Sequence, residues 1–216
     1  MIDYRLYLVT DNPSRYKTDW LTTIEAALDG GVTCVQYRDT ENPANVQYER
    51  IRKLQELLAL HKIPLIVNND AELAAAVKAQ GVHVGQGDMP PAQVRQIVGP
   101  NCEIGLSITC LSDLTSLPAP TPKHQAPGAL VDCIGIGPVY DARKTKADAS
   151  SAIGPEGLRE IVARVPDFPN CAIGGITTDN APDVLAAGAK GLAIVSALSQ
   201  APDPTLAAKS FINLFN

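Results

Sequence analysis

The feature that most constrains the fold is an alternation that repeats eight times, in which a short apolar run is followed by an amphipathic stretch. The apolar runs lie at residues 6–9, 34–37, 65–67, 82–84, 104–108, 131–136, 171–173 and 192–195. Near-continuous apolar strands separated by helices are typical of a parallel sheet covered by helices. Eight such units predict an α/β fold, a closed (β/α)8 TIM barrel, with a doubly wound open sheet as the alternative.

The stretches between the runs carry helix signals of unequal strength. Residues 180–187 predict a helix, and Asp203 followed by Pro204 predicts the capped start of the last helix. After the fifth run only Leu111 and Leu114 precede a series of prolines, so a stunted helix and an irregular loop are expected there. No composition shift or long linker divides the chain, and residues 1–216 are therefore expected to form one barrel domain.

The composition excludes several classes of protein. The 216-residue chain has a net charge of −5 and a pI near 5.2, which argues against broad contact with nucleic acid or an anionic membrane. No apolar run reaches the roughly 18 residues of a membrane span, and the first residues lack a signal-peptide pattern. We therefore expect a cytoplasmic protein, with a homo-oligomer left open. The five cysteines include no Cys-x-x-Cys pair and are interpreted as mostly buried, reduced thiols.

Polar residues are concentrated directly after the apolar runs, at the strand ends where (β/α)8 barrels carry their active sites. These residues are Gln36, Arg38, Asn68, Asn69, Asp70, Gln86, Asp88, Ser107, Thr109, Arg143, Lys144, Thr145, Lys146, Gly174, Gly175 and Ser196. His83, inside the fourth run, is interpreted as a packed strand residue. Ser107 has no evident His and Asp partners, so a Ser-His-Asp hydrolase is rejected.

A phosphate site is predicted after the last two strands. Gly174-Gly175 ends the seventh run, and Val195-Ser196 ends the eighth. Glycines let backbone N–H groups approach an anion closely, and the loops after strands 7 and 8 frequently bind phosphate in this fold. The alternative is a pair of tight strand-to-helix turns that bind nothing.

Oxygen ligands after the third and fourth runs suggest a magnesium site. Asn68-Asn69-Asp70 and Asp88 would lie on neighbouring loops, and Mg²⁺ binds through one or two carboxylates together with substrate phosphates. The alternative is helix capping by Asp70 and Asp88. Arg38 and Lys146 would clamp a second anionic group, or else lie as solvated loop charges.

At these positions the chain resembles the thiamine phosphate synthase family, and the resemblance covers nearly its whole length. Each matching block is short, but the blocks occur in order and at family-like spacing. They are Gln36-x-Arg38, Ile66-Val67-Asn68, Gly81-Val82-His83-Val84-Gly85-Gln86-x-Asp88, Gly105-Leu106-Ser107, Gly135-x-Gly137-Pro138-Val139-Tyr140, Thr145-Lys146, Gly174-Gly175-Ile176 and Val195-Ser196.

The resemblance implies a transferase that joins 4-amino-5-hydroxymethyl-2-methylpyrimidine diphosphate to a thiazole phosphate, giving thiamine phosphate and diphosphate. It implies a dissociative reaction assisted by Mg²⁺, in which diphosphate leaves before the thiazole nitrogen attacks. Arg38 and Lys146 are then the catalytic cations. The implied pyrimidine diphosphate site is Gln36, Arg38, Thr40, Asn68, Ser107 and Lys146, the implied thiazole phosphate site is Arg143, Thr145, Gly175, Val195 and Ser196, and the implied metal ligands are Asn69 and Asp88.

Three residues depart from the family pattern. Asn69 stands where the family typically has Asp, and Thr40 where it usually has Lys, so each site loses favourable charge. Arg143 lies near the expected first threonine of a Thr-x-Thr-Lys motif, and Arg143 or Lys144 would replace the positive charge lost at Thr40. Two other functions stay open: a related thiazole tautomerase, although Thr109 replaces the His expected for it, and a non-catalytic barrel that binds phosphorylated ligands.

Overall fold

The computed structural model describes residues 1–117, 130–142 and 150–216, and it contains all eight predicted strands. Each strand pairs in parallel with the next one along the chain, and β1 pairs with β8. The strands are β1 (Leu6–Val9), β2 (Cys34–Tyr37), β3 (Leu65–Asn68), β4 (Gly81–Val84), β5 (Glu103–Ile108), β6 (Cys133–Ile136), β7 (Asn170–Ile173) and β8 (Leu192–Ile194).

The pairing of β1 with β8 closes the sheet into a barrel. Leu6 lies opposite Leu192, and Leu8 lies opposite Ile194. This closure confirms the predicted (β/α)8 barrel and shows that the open-sheet alternative is wrong. Because all strands run in the same direction, their carboxyl ends meet at one rim, and the loops that follow them surround a single opening.

Helices surround the barrel on the outside. They are α1 (Trp20–Asp29), α2 (Ala44–His61), α3 (Ala71–Ala76), α4 (Pro91–Val98), α5 (Gly154–Arg164), α6 (Ala181–Ala186), α7 (Ser196–Ser199) and α8 (Pro204–Ile212). Asp203 caps α8 as predicted, because its Oδ1 accepts a hydrogen bond of 2.9 Å from the Leu206 N–H. Three 3₁₀ segments, Pro13–Arg15, Leu111–Ser116 and Asn213–Phe215, complete the described elements.

The stunted helix that was predicted after the fifth strand is the 3₁₀ segment Leu111–Ser116, whereas α7 was not predicted. The predicted proline-rich loop falls largely on residues 118–129, which lie outside the described residues, as do Arg143, Lys144, Thr145 and Lys146. Among the described residues, no helix has both the length and the apolar character required to cross a membrane.

The hydrophobic core has two parts. The larger part fills the space between the strands and the helices, and the smaller part lies inside the barrel around Tyr7, Ile66 and Ala193. Four cysteines are buried free thiols, as expected. Cys110 differs and is exposed, because it follows the end of β5 at the surface, where it caps the 3₁₀ segment Leu111–Ser116.

Candidate functional site

A cavity of about 580 Å³ opens at the carboxyl ends of the strands. Of the predicted site residues that the structure describes, all but Asp70 line this cavity, so these residues come together at one rim. The predicted residues in its wall are Gln36, Arg38, Thr40, Asn68, Asn69, Asp88, Ser107, Gly175, Val195 and Ser196. Arg143, Thr145 and Lys146 lie outside the described residues.

The floor of the cavity holds a buried polar pair. Gln36 lies on β2, and its Nε2 donates a 2.6 Å hydrogen bond to the Tyr7 hydroxyl on the adjacent strand β1. Both side chains are buried, and burial raises the pKa of Tyr7 well above its usual value. The phenol therefore stays protonated at neutral pH and can hold the Gln36 amide in a fixed orientation.

Arg38 follows β2 and brings a positive charge into the cavity wall. Its backbone N–H donates to the Thr10 hydroxyl at 2.9 Å, which fixes the loop against β1. The neighbouring Asp39 is bound to Arg50 on α2 at 2.8 Å. Within the described part of the chain, no carboxylate pairs with the Arg38 guanidinium, so its charge is available to an anion in the cavity.

In the turn after β3, Asn68 and Asn69 line the cavity, whereas Asp70 does not. Asn69 adopts a left-handed conformation with φ of 64°, and its N–H donates to the His83 carbonyl at 2.8 Å. Asp70 does not line the cavity; its Oδ1 caps α3 by accepting from the Leu73 N–H at 2.8 Å. The capping alternative is therefore confirmed for Asp70, while Asn68 and Asn69 remain in the cavity wall.

Asp88 lies in the loop after β4, and its side chain stabilises the turn of that loop. Its Oδ2 accepts a 2.7 Å hydrogen bond from the Gly85 N–H, whereas the residue that caps α4 is Pro90. The capping alternative for Asp88 is thus wrong, because this carboxylate binds the Gly85 N–H and not the start of α4.

The described residues contain no group of three or more His, Cys, Asp or Glu side chains placed to hold a metal ion. Asp88 and the Asn69 amide nevertheless suit Mg²⁺, which needs few protein ligands when phosphate oxygens and water complete its shell.

The end of β7 forms the opposite side of the cavity. Gly174 and Gly175 have φ values of 103° and 61°. A Cβ on Gly175 would lie 2.7 Å from the Tyr140 Cβ, so the loop after β6 crosses directly over this turn. Among the described residues, the N–H groups of Gly175 and Ile176 find no hydrogen-bond acceptor. Ser196, the first residue of the unpredicted helix α7, lines the same cavity.

His83 was interpreted as a packed strand residue, but its ring forms part of the cavity wall, which corrects that interpretation. Its Nε2 lies 3.0 Å from the Ser107 hydroxyl oxygen on β5. Burial lowers the pKa of His83 to about 4, against the opposing influence of Asp88, so the imidazole is neutral at pH 7. In the sequence, Gly105 on β5 and Gly135 on β6 were the signal that a large side chain from a nearby strand could lie across these strands.

Asp113 is a second residue that sequence reasoning did not select. It accepts hydrogen bonds of 2.7 Å from both the backbone N–H and the hydroxyl of Thr109. Burial alone would raise the pKa of Asp113, but these bonds outweigh it and lower the pKa. Thr109 is thereby held at the rim with its hydroxyl proton committed to Asp113.

The fold and cavity together define a (β/α)8 barrel with its polar site at the carboxyl-terminal rim, where enzymes of this fold carry their active sites. Residues 6–198 match the protein family described as thiamine monophosphate synthase. The chain belongs to this family, and it is an enzyme of the transferase class.

Individual relatives agree with this assignment. The chain is 43% identical over 208 residues to a thiamine-phosphate synthase of Azorhizobium caulinodans, covering 96% of this chain and 93% of the relative. It is also 43% identical over 204 residues to one of Albidiferax ferrireducens, covering 94% and 88%. A solved thiamine phosphate pyrophosphorylase from Pyrococcus furiosus superposes with a TM-score of 0.79 at 33% identity, covering 98% of this chain and 95% of that one.

Proposed function

We propose that this protein is a cytoplasmic thiamine phosphate synthase, which joins 4-amino-5-hydroxymethyl-2-methylpyrimidine diphosphate to a thiazole phosphate and releases diphosphate. The observation that carries the proposal is that one cavity presents two sets of groups suited to bind anions. Arg38, with no described carboxylate partner, lies in its wall, and the free N–H groups of Gly175 and Ile176 lie after β7. Two phosphorylated substrates of a transfer reaction require this arrangement.

The pyrimidine diphosphate is assigned to the side of the cavity formed by β2, β3 and β5. Gln36 has its amide nitrogen bound to Tyr7, so its carbonyl oxygen can accept from the exocyclic amino group of the pyrimidine. Arg38 binds the diphosphate, and Thr40, Asn68 and Ser107 offer neutral hydrogen bonds around it. Lys146 is assigned to the same diphosphate by its match to the family motif.

Mg²⁺ is the cofactor that this proposal requires, and Asn69 and Asp88 are its assigned ligands. When bound, the ion would supply positive charge beside the leaving diphosphate. The Asn69 side chain contributes an amide oxygen without charge, so Asp88 is the assigned protein carboxylate at the site. We therefore expect weaker binding of Mg²⁺ than an Asp at position 69 would give.

The proposed reaction separates bond breaking from bond formation. As the C–O bond to the diphosphate breaks, negative charge grows on the leaving group, and Arg38 and Lys146 stabilise it in proportion to that growth. The electron-rich aminopyrimidine carries the positive charge left at its methylene carbon. The chain needs no nucleophile of its own, because the thiazole nitrogen is held beside that carbon and attacks it.

The thiazole phosphate is assigned to the rim formed by the ends of β7 and β8. The N–H of Gly175 and the hydroxyl of Ser196 are suited to phosphate oxygens, and Val195, which precedes α7, lines the same cavity. Arg143 and Thr145 complete this site by their positions in the sequence.

The decisive experiment combines the purified protein with both substrates and Mg²⁺ and measures thiamine phosphate formation. Omission of either substrate, or addition of a chelator, is expected to abolish the product. A folded protein that yields no thiamine phosphate across a wide range of Mg²⁺ concentrations would overturn the proposal. Isomerisation of the thiazole without the pyrimidine would instead identify a tautomerase, a reaction disfavoured here because Thr109, and not a His, is bound to Asp113.

A further inference from the structure

The imidazole of His83 fills a space that is open because β5 and β6 each have a glycine next to the ring. Gly105 is the register partner of His83 on β5, and a Cβ there would lie 2.3 Å from the His83 Nδ1. A Cβ on Gly135, one strand further, would lie 2.9 Å from Cε1. The ring therefore extends across β5 toward β6, which is an arrangement that no larger residue at either position would permit.

This position brings the imidazole of His83 to Ser107. Its Nε2 lies 3.0 Å from the Ser107 hydroxyl oxygen, and the side-chain nitrogen of Gln86 donates a 2.7 Å hydrogen bond to the Ser107 carbonyl. Both the backbone and the hydroxyl of Ser107 are thus held by residues of β4 or the loop after it. These contacts hold the Ser107 backbone and place its hydroxyl against the imidazole.

The position of the imidazole proton follows from its two nitrogens. Nε2 bonds with Ser107, whereas Nδ1 has no hydrogen-bond partner among the described residues. Unpaired N–H groups are rarer in protein interiors than acceptors with a spare lone pair. The single proton of the neutral ring is therefore better placed on Nε2, where the Ser107 hydroxyl accepts it, than on Nδ1, where no described protein group would accept it.

We propose that His83 is a positioning residue that donates its Nε2–H to the Ser107 hydroxyl oxygen and so directs the Ser107 proton into the cavity. A hydroxyl that accepts from His83 keeps its own proton free to donate to an anion. With the opposite tautomer, Ser107 would donate to His83 and present only lone pairs, which repel an anion. The inference rests on the proposed function, since the anion it requires is the diphosphate.

The tautomer of His83 can be measured by NMR in the protein without any ligand. The chain has three histidines, so protein labelled with ¹⁵N-histidine gives a simple long-range proton–nitrogen correlation spectrum, in which His83→Gln assigns the signals. We expect a protonated Nε2 and an unprotonated Nδ1 for His83 near neutral pH. The reverse pattern would overturn the proposal, and this measurement does not depend on any substrate.

The effect on anion binding is measured with inorganic diphosphate and Mg²⁺ by calorimetry. His83→Leu removes the donor and is expected to weaken binding roughly 10-fold or more, the range for a hydrogen bond to a charged group. His83→Gln places an amide N–H near the position of Nε2 and should restore most of the affinity. His61→Gln, on α2, should bind as the wild type does.

A double variant separates positioning from a general structural loss. Ser107→Ala should weaken binding, and adding His83→Leu to it should cause little further loss, since both act through one hydroxyl. Additive losses, or His83→Leu with wild-type affinity, would overturn the role of His83. A wild-type protein that binds no diphosphate would instead contradict the proposed function, while the tautomer spectrum would still decide the position of the proton.

Discussion

The side-chain nitrogen of Gln36 lies 2.6 Å from the hydroxyl oxygen of Tyr7, and the two side chains join β1 to β2 beneath the cavity. Gln36 is buried but lines the cavity, and the bond to Tyr7 engages its amide nitrogen, which leaves its carbonyl oxygen for a ligand. Tyr7 thus determines which end of the amide faces the ligand, although Tyr7 itself reads in the sequence as one member of an apolar run.

Tyr7→Phe tests this orientation. The change leaves the Gln36 N–H unpaired, which should lower the free energy of unfolding by about 1–3 kcal/mol. A misoriented amide should also raise the KM for the pyrimidine diphosphate roughly 10-fold with a smaller change in kcat. Tyr37→Phe is the matched control, because it removes a hydrogen bond of 3.0 Å to Asp39 outside the cavity. Equal effects of the two variants on KM would contradict the assignment of Tyr7.

Arg38→Ala tests the stabilisation of charge on the leaving group. If the guanidinium interacts with negative charge as it develops, its loss should raise the activation free energy by about 2–4 kcal/mol. This rise would be measured as a fall in kcat/KM. Arg52→Ala, on the exposed face of α2, removes the same charge away from the cavity and should leave the kinetics unchanged. Steady-state assays of both variants provide the comparison, and a near-wild-type rate for Arg38→Ala would remove this cation from the mechanism.

Asn69→Asp tests the proposed metal ligand. The carboxylate adds a negative charge to the cavity wall that also contains Asp88, so the concentration of Mg²⁺ that gives half-maximal activity should fall severalfold. The left-handed backbone at position 69 tolerates Asp as well as Asn. Asp70→Asn is the control: it removes a charge from the adjacent residue, keeps an oxygen that can cap α3, and should not alter the Mg²⁺ titration. Parallel shifts in both titrations would indicate a general electrostatic effect and not a ligand.

The barrel and its rim could be predicted from the sequence because both depend on local patterns. Eight apolar runs separated by helical spacing imply parallel strands, and the residues that end those runs must meet at one rim. Arg38, Asp88 and Ser107 were therefore placed together without knowledge of any contact. Helix α7 was missed because a single short turn of helix has no periodicity to detect.

The residues that support the site could not be predicted in the same way. His83 and Tyr7 lie within apolar runs, where a polar group is ordinarily packed or satisfied by chance neighbours. Their roles depend on the register between strands, which places Gly105 opposite His83 and brings Gln36 beside Tyr7. Such relations are tertiary, and no spacing along a single strand encodes them.

Gly175→Ala tests the turn after β7. The left-handed backbone and the close approach of Tyr140 both oppose a Cβ, so the free energy of unfolding should fall by about 1–3 kcal/mol. Displacement of the turn should also weaken binding of the thiazole phosphate, measured by calorimetry. Gly87→Ala is the control for stability, because a Cβ there has no atom within 4 Å. Unchanged stability and binding in Gly175→Ala would show that the turn accommodates a side chain and does not require glycine.

The neutral His83 should make the stability of the protein depend on pH. Burial lowers its pKa from 6.5 to about 4, so between these values the unfolded chain binds a proton that the folded chain does not. The free energy of unfolding should therefore fall as the pH decreases through 6.5, by about 3 kcal/mol in total, and this loss should be complete near pH 4. In His83→Gln this contribution is absent, so urea unfolding from pH 7 to pH 4 should show a flatter profile than that of the wild type. Parallel profiles for His83→Gln and the wild type would mean that His83 titrates alike in both states, and hence that its ring is hydrated in the folded protein.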